Sequence, residues 1–171
     1  MTNYILLILV NILTYLSICT YEFYPVGSYD ESLNPYRLFT PGLLFSLYIV
    51  FVQRKERSFL KLALFVILLF VLYCASVAAG LSSFGFAVPF AGGIGALLLK
   101  QLFYNKTQLL DTMGKSYLSI GLIAGGIGYG LFYLTINAWA AGVGFALILI
   151  LWQIAIGILW IKTNSDPPVN S

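Results

Sequence analysis

Chemistry needs ionisable or nucleophilic groups at close quarters, and this sequence of 171 residues supplies few of them. Histidine is absent, so the commonest general base and the commonest metal ligand are both missing. Cys19 and Cys74 sit in apolar runs with no Cys-x-x-Cys or other zinc spacing, and read as small buried hydrophobes with free thiols. The acids are Glu22, Asp30, Glu31, Glu56, Asp111 and Asp166, and each falls between apolar runs, at an end of one, or in the C-terminal tail. A carboxylate within a membrane span marks a proton relay or a cation site. None lies there, which argues against a proton-coupled pump running through this chain alone. No phosphate loop, nucleophile elbow or zinc motif appears. The sequence therefore assigns no catalytic residue, no metal ligand and no cofactor.

What remains is polarity placed inside apolar runs. Asn11, Thr14, Ser17 and Thr20 recur at three-residue spacing and sweep round about half a helix. An unpaired amide is costly in hydrocarbon, so Asn11 should face protein. Gln153, at similar depth in the last apolar run, is its expected partner. This group reads as a polar path or as an interhelical contact, and the contact is favoured. Lys100 is the deepest base and is expected to snorkel to the membrane surface. A second candidate site is the segment 22–37, where Glu22, Asp30 and Glu31 are interleaved with aromatics and turn formers. It reads as an interfacial loop or as a cation-attracting mouth; the carboxylates lack metal-ligand spacing.

Glycine spacing is the clearest positional signal. Gly121 pairs with Gly125 and Gly126 with Gly130, with Gly128 between, and Ala91 with Gly95 repeats the interval. Small residues four apart let helix backbones approach closely in lipid. These positions are expected to pack helices, either within the chain or against a homo- or hetero-oligomeric partner. Ala91-Gly92-Gly93-Ile94-Gly95 recurs as Ala124-Gly125-Gly126-Ile127-Gly128. The copies fall on neighbouring segments rather than on equivalent helices of two halves, so an inverted transporter repeat is not favoured.

The elements that carry these residues follow from composition. The chain is 60% hydrophobic and 9% charged, with a mean hydropathy of +0.93. Soluble domains are about 25% charged; a chain this apolar has lipid as its solvent. The net charge of +3 is too small and scattered for a nucleic-acid footprint. Apolar runs at about 4–21, 38–52, 62–80, 87–104, 116–136 and 139–161 predict an all-α polytopic transmembrane bundle of six spans, forming one domain over 1–162. The first run lacks a basic n-region and a small-residue cleavage site, so it reads as a retained span. The segment 163–171, with Asp166, Pro167 and Pro168, predicts a disordered tail.

Charge orients the bundle. With both termini cytoplasmic, the inner side holds Arg54, Lys55, Arg57, Lys61, Lys100, Lys106, Lys115 and Lys162, and only Arg37 lies outside, in accord with the positive-inside rule. The weak element is 38–52, with Thr40 expected as N-cap and Pro41 in the first turn. If it does not cross, five spans with the N-terminus outside also satisfy the charge rule. The expected setting is the cell membrane, with the bilayer as partner. The leading functional reading is a non-enzymatic membrane component that packs with partner helices. The alternative is a small-solute channel, a permease or a substrate-binding transporter subunit, and an enzyme ranks third. A transport role calls for a polar cavity between the Asn11 stripe and Gln153; a packing component calls for a closed bundle with a glycine-lined face.

Overall fold

A computed structural model describes residues 1–19, 35–52, 58–82, 87–104, 109–135 and 141–165. Every regular element among them is helical: α1 (Thr2–Cys19), α2 (Pro35–Val52), α3 (Phe59–Ser82), α4 (Val88–Tyr104), α5 (Thr112–Thr135) and α6 (Ala141–Ser165). Three helices contain stretches long and apolar enough to cross a membrane, Phe59–Ala79, Thr112–Leu134 and Ala146–Asn164. The other three carry shorter apolar stretches, Thr2–Ile18, Phe39–Val52 and Val88–Phe103. The exterior is as apolar as the interior: Ile8, Leu64, Ile67, Val71, Ile123 and Ile127 all point outward. Apolar surface this continuous has no place in water and marks a membrane protein.

The helices form a ring. Each packs against its neighbour in the chain, α1 closes onto α6, and α2 also touches α6. Paired positions fix the directions. A Cβ on Gly92 or Gly121 would strike the other's backbone, and one on Gly125 would meet Pro89, so α4 and α5 run antiparallel. Tyr117 reaches Thr163 while Gly128 abuts Ile148, which sets α5 against α6. Leu7 abuts Gly157 and Thr14 reaches Gln153, which sets α1 against α6. Phe65 stacks on Phe103 while Ser76 lies near Gly95, which sets α3 against α4. The start of α1 and the end of α6 therefore share one end of the bundle, here the terminal end. The starts of α4 and α6 lie at the other, the distal end.

Several boundaries differ from the sequence expectation. Helix α2 starts at Pro35, and Pro41 lies inside it rather than in its first turn, so Thr40 is not an N-cap. Proline in a helix interior removes one backbone bond and clashes with the carbonyl four residues back. That local cost is outweighed here by packing on α1, α3 and α6. The result is a helix of 18 residues, roughly 27 Å long at 1.5 Å per residue. Helix α6 runs to Ser165, so the segment expected to be a disordered tail at 163–171 begins in helix. Thr163 Oγ1 donates to Leu159 O and Asn164 Nδ2 to Trp160 O, each along the helix. Helix α5 begins at Thr112, ahead of the expected 116, because Asp111 caps it. The Asp111 carboxylate accepts from Gly114 N at 2.6 Å and its carbonyl from Lys115 N at 2.9 Å. The core is shared by all six helices, with Leu7 and Val10 from α1 and Tyr48 and Ile49 from α2.

Candidate functional site

The ring holds a half-open cavity of about 340 Å³ in its distal half, walled by α2, α3, α4, α5 and α6. Its origin is in residue size. Helices α4 and α5 turn Ala91, Gly95 and Gly125 toward it, and such small residues fill little space. Close approach of the same two helices depends on the same composition. A Cβ on Gly121 would lie against Gly92 O and 2.9 Å from Ala96 Cβ, and one on Gly125 would lie 2.9 Å from Pro89 Cα. Gly42 of α2 carries the ring of Tyr73 directly against its Cα. Five aromatic side chains line the space: Phe45, Tyr73, Tyr129, Phe132 and Trp152. Phe45 and Trp152 meet edge to face at 5.5 Å. No charged side chain lines the cavity among the described residues.

Gln153 belongs to the wall and ties three helices together. Its Nε2 donates to Pro41 O at 3.3 Å, and its Oε1 accepts from Thr14 Oγ1 at 3.2 Å. Trp152 Nε1 donates to Gly92 O at 3.0 Å, a bond open to it because Gly92 has no side chain in the way. The two lining hydroxyls turn back on their own helices: Ser46 donates to Gly42 O and Ser76 to Leu72 O.

Toward the terminal end the described side chains pack against one another. Phe103 stacks on Phe65 at 4.6 Å and meets Trp160 edge to face at 4.9 Å. Trp160 and Tyr117 are fully buried. Lys100 does not snorkel: its side chain is 0% exposed, and Nζ lies 2.9 Å from Asp111 Oδ1. The cap of α5 explains this. Asp111 is fixed at the helix N-terminus, where backbone N–H groups and the helix dipole already favour a carboxylate, and α4 runs close enough for Lys100 to reach it.

The residues singled out from sequence divide accordingly. Thr14 and Gln153 meet, but Asn11 does not meet Gln153: its Nδ2 donates to Leu7 O within α1, and its Oδ1 has no hydrogen-bond partner among the described residues. Asn11 lies instead in a shallow groove between α1 and α6, beside Ile8, Ile12 and Ile154. Ser17 donates to Thr14 O of its own helix. Gly121, Gly125 and Gly128 sit at close backbone contacts, whereas a Cβ on Gly126 or Gly130 would meet nothing within 4 Å, so both face outward. Their period explains the split, since residues one and five places on from Gly125 rotate to the far side of the helix. Glu22, Asp30 and Glu31 lie outside the described residues. Cys74 is a free thiol.

Sequence reasoning missed the aromatic wall and the two serines. Ser46 and Ser76 are visible as hydroxyls in the middle of apolar runs; aromatics in such runs are too common to stand out. Compared with known proteins, the chain matches no family model, no curated protein and no solved structure.

Proposed function

We propose that this chain is a non-enzymatic, multi-pass membrane protein whose distal cavity binds a small, uncharged, mainly apolar solute. The cavity itself carries the reading. It has the size of a ligand site, its wall is apolar and aromatic, and a few fixed polar groups converge on it. That favours a binding or permease component over a chain that only packs with partner helices. An open channel is disfavoured, because Phe103, Tyr117, Trp160 and the Lys100–Asp111 pair fill the other half of the ring. The wall offers no acid–base pair among the described residues, and both serine hydroxyls donate to backbone carbonyls, so nothing there is activated for catalysis.

Six spans with both termini cytoplasmic is the topology that fits this site. The antiparallel ring, the 18-residue length of α2 and its packing on three neighbours support a crossing α2. The basic residues then gather at the terminal end and the cavity lies in the outer half of a cell membrane. A cysteine introduced as Ser28→Cys, in a chain lacking Cys19 and Cys74, should react with an impermeant reagent from outside intact cells. Reaction only after the membrane is opened rules for the five-span arrangement.

The cavity reading is tested by filling it. A Cβ on Gly95 would lie 3.7 Å from Ser76 Oγ and 3.8 Å from Trp152 Cζ2, ordinary contact distances, so a side chain there enters the cavity without collision. Full-length protein in nanodiscs should take up naphthalene beyond the uptake of empty nanodiscs, and Gly95→Leu should abolish the excess while leaving the melting temperature unchanged or raised. No excess with the unaltered chain, or an excess untouched by Gly95→Leu, returns the packing component as the better reading.

A further inference from the structure

Hydrogen bonding around the cavity says more about the solute than its volume does. A hydroxyl has one proton and two lone pairs. Ser46 Oγ commits its proton to Gly42 O at 2.7 Å, and Ser76 Oγ commits its own to Leu72 O at 2.9 Å. Each can then offer a solute only lone pairs. The one N–H of the Trp152 ring is committed to Gly92 O. Gln153 keeps one N–H and one lone pair beyond its bonds to Pro41 and Thr14. Among these four side chains, fixed acceptors outnumber fixed donors.

Shape and charge narrow the class again. Five aromatic side chains, two of them set edge to face, suit a flat ring that can stack on one and meet the edge of another. With no charged side chain in the wall among the described residues, an ionic solute would go unpaired in a medium that penalises it. A cavity of about 150 Å³ holds one benzene ring. The 340 Å³ here suits two or three fused rings.

Resting on the binding reading above, we infer that the cavity selects a neutral, planar molecule of two or three rings that carries a hydrogen-bond donor, an N–H or O–H, on its edge. A solute whose edge atom is only an acceptor gains no bond from Ser46 or Ser76 and binds less tightly.

Three near-isosteric tricycles separate this from selection by size. Carbazole, fluorene and dibenzofuran place an N–H, a CH2 and an ether oxygen at the same edge. Binding is measured by equilibrium dialysis with full-length protein in phosphatidylcholine nanodiscs, after subtraction of uptake by empty nanodiscs. Carbazole should bind about three- to tenfold more tightly than dibenzofuran, with fluorene between them. In Ser46→Ala/Ser76→Ala the three should converge to within about twofold, because the acceptors are gone while the shape is kept. Equal binding of all three to the unaltered chain, abolished by Gly95→Leu, overturns the donor rule and leaves the cavity reading intact. Preference for dibenzofuran, or a preference for carbazole that survives the double substitution, also overturns it. No binding of any probe overturns the cavity reading and this inference with it.

Discussion

At the distal end α4 and α5 turn Ala91, Gly95 and Gly125 toward the axis of the ring; nearer the terminal end they turn Phe103 and Tyr117 toward it. The same six helices, in the same order, are hollow in one half and solid in the other. In water such a void would be a liability, since lost contacts in a core cost stability in proportion to the cavity. In this bundle the solid half supplies the compensating contacts. Trp160 and Phe103 meet edge to face, Tyr117 belongs to the same buried cluster, and an ion pair closes the gap between α4 and the start of α5. The division teaches that packing and binding are assigned to different depths rather than to different helices. Substitutions should therefore cost stability at one depth and change binding at the other.

The largest break in that pattern should come from the two tryptophans. Trp160 is fully buried in the solid half, and Trp160→Ala should destabilise by about 3–5 kcal/mol, the usual cost of emptying a packed aromatic site. Trp152 already borders empty space, so Trp152→Ala loses fewer contacts and should cost about half as much while weakening solute binding more than any other truncation to alanine. Unfolding in mixed micelles reads the first difference and dialysis the second. Equal costs would mean that the distal half is closed in solution.

The ion pair comes next. Asp111→Ala strips the carboxylate from a buried ammonium and removes the cap of α5 at once, and should cost about 3 kcal/mol. Lys100→Met should cost less. It leaves Asp111 at a helix N-terminus, 23% exposed and still bonded to Gly114 N. A reversed order in mixed-micelle unfolding would mean that Lys100, not Asp111, anchors the terminal end.

Glycines sharpen the comparison on a single helix. Gly121→Leu forces α4 and α5 apart at Gly92, and should cost about 2 kcal/mol or more. Gly126→Leu enters open space and should leave the melting temperature nearly unchanged. A large loss from Gly126→Leu in the membrane, but not in detergent, would reveal a second chain against that face.

The helices and most of the interhelical logic are legible in the sequence because lipid imposes both: runs of apolar residues must be helices, and small residues four apart must allow contact. The features that escape are those set by rotation about a helix axis. Gly125 and Gly126 are adjacent and chemically identical, yet one touches Pro89 and the other nothing. Lys100 reads as a surface base when depth is counted and direction is not; its direction follows from where Asp111 caps α5. The start of α2 escapes for a different reason. Pro41 is a legitimate first-turn residue by local preference, yet the helix starts before it, at Pro35. The cavity itself is a property of facing surfaces and leaves no mark on any one segment.

The smallest effect concerns the two amides, and it separates a bond across helices from a bond along one. Gln153 accepts from Thr14 of α1 and donates to Pro41 of α2, so its loss unties two helices. Among the described residues Asn11 donates only within α1, and its Oδ1 has no partner. A single interhelical hydrogen bond in a membrane averages about 0.6 kcal/mol and reaches about 1.7, since the separated helices find partners of their own. Gln153→Leu should therefore cost about 1 kcal/mol. Thr14→Val combined with Gln153→Leu should cost less than the two singles together, by roughly the worth of the shared bond. Asn11→Leu should be neutral or slightly stabilising, because it removes a buried oxygen that nothing satisfies. It should also add in full to Gln153→Leu, as two sites without a shared partner do. A coupling between Asn11 and Gln153 as large as that between Thr14 and Gln153, measured in the same mixed micelles, would show that the carboxamide of Asn11 turns inward in the membrane and that the groove between α1 and α6 closes.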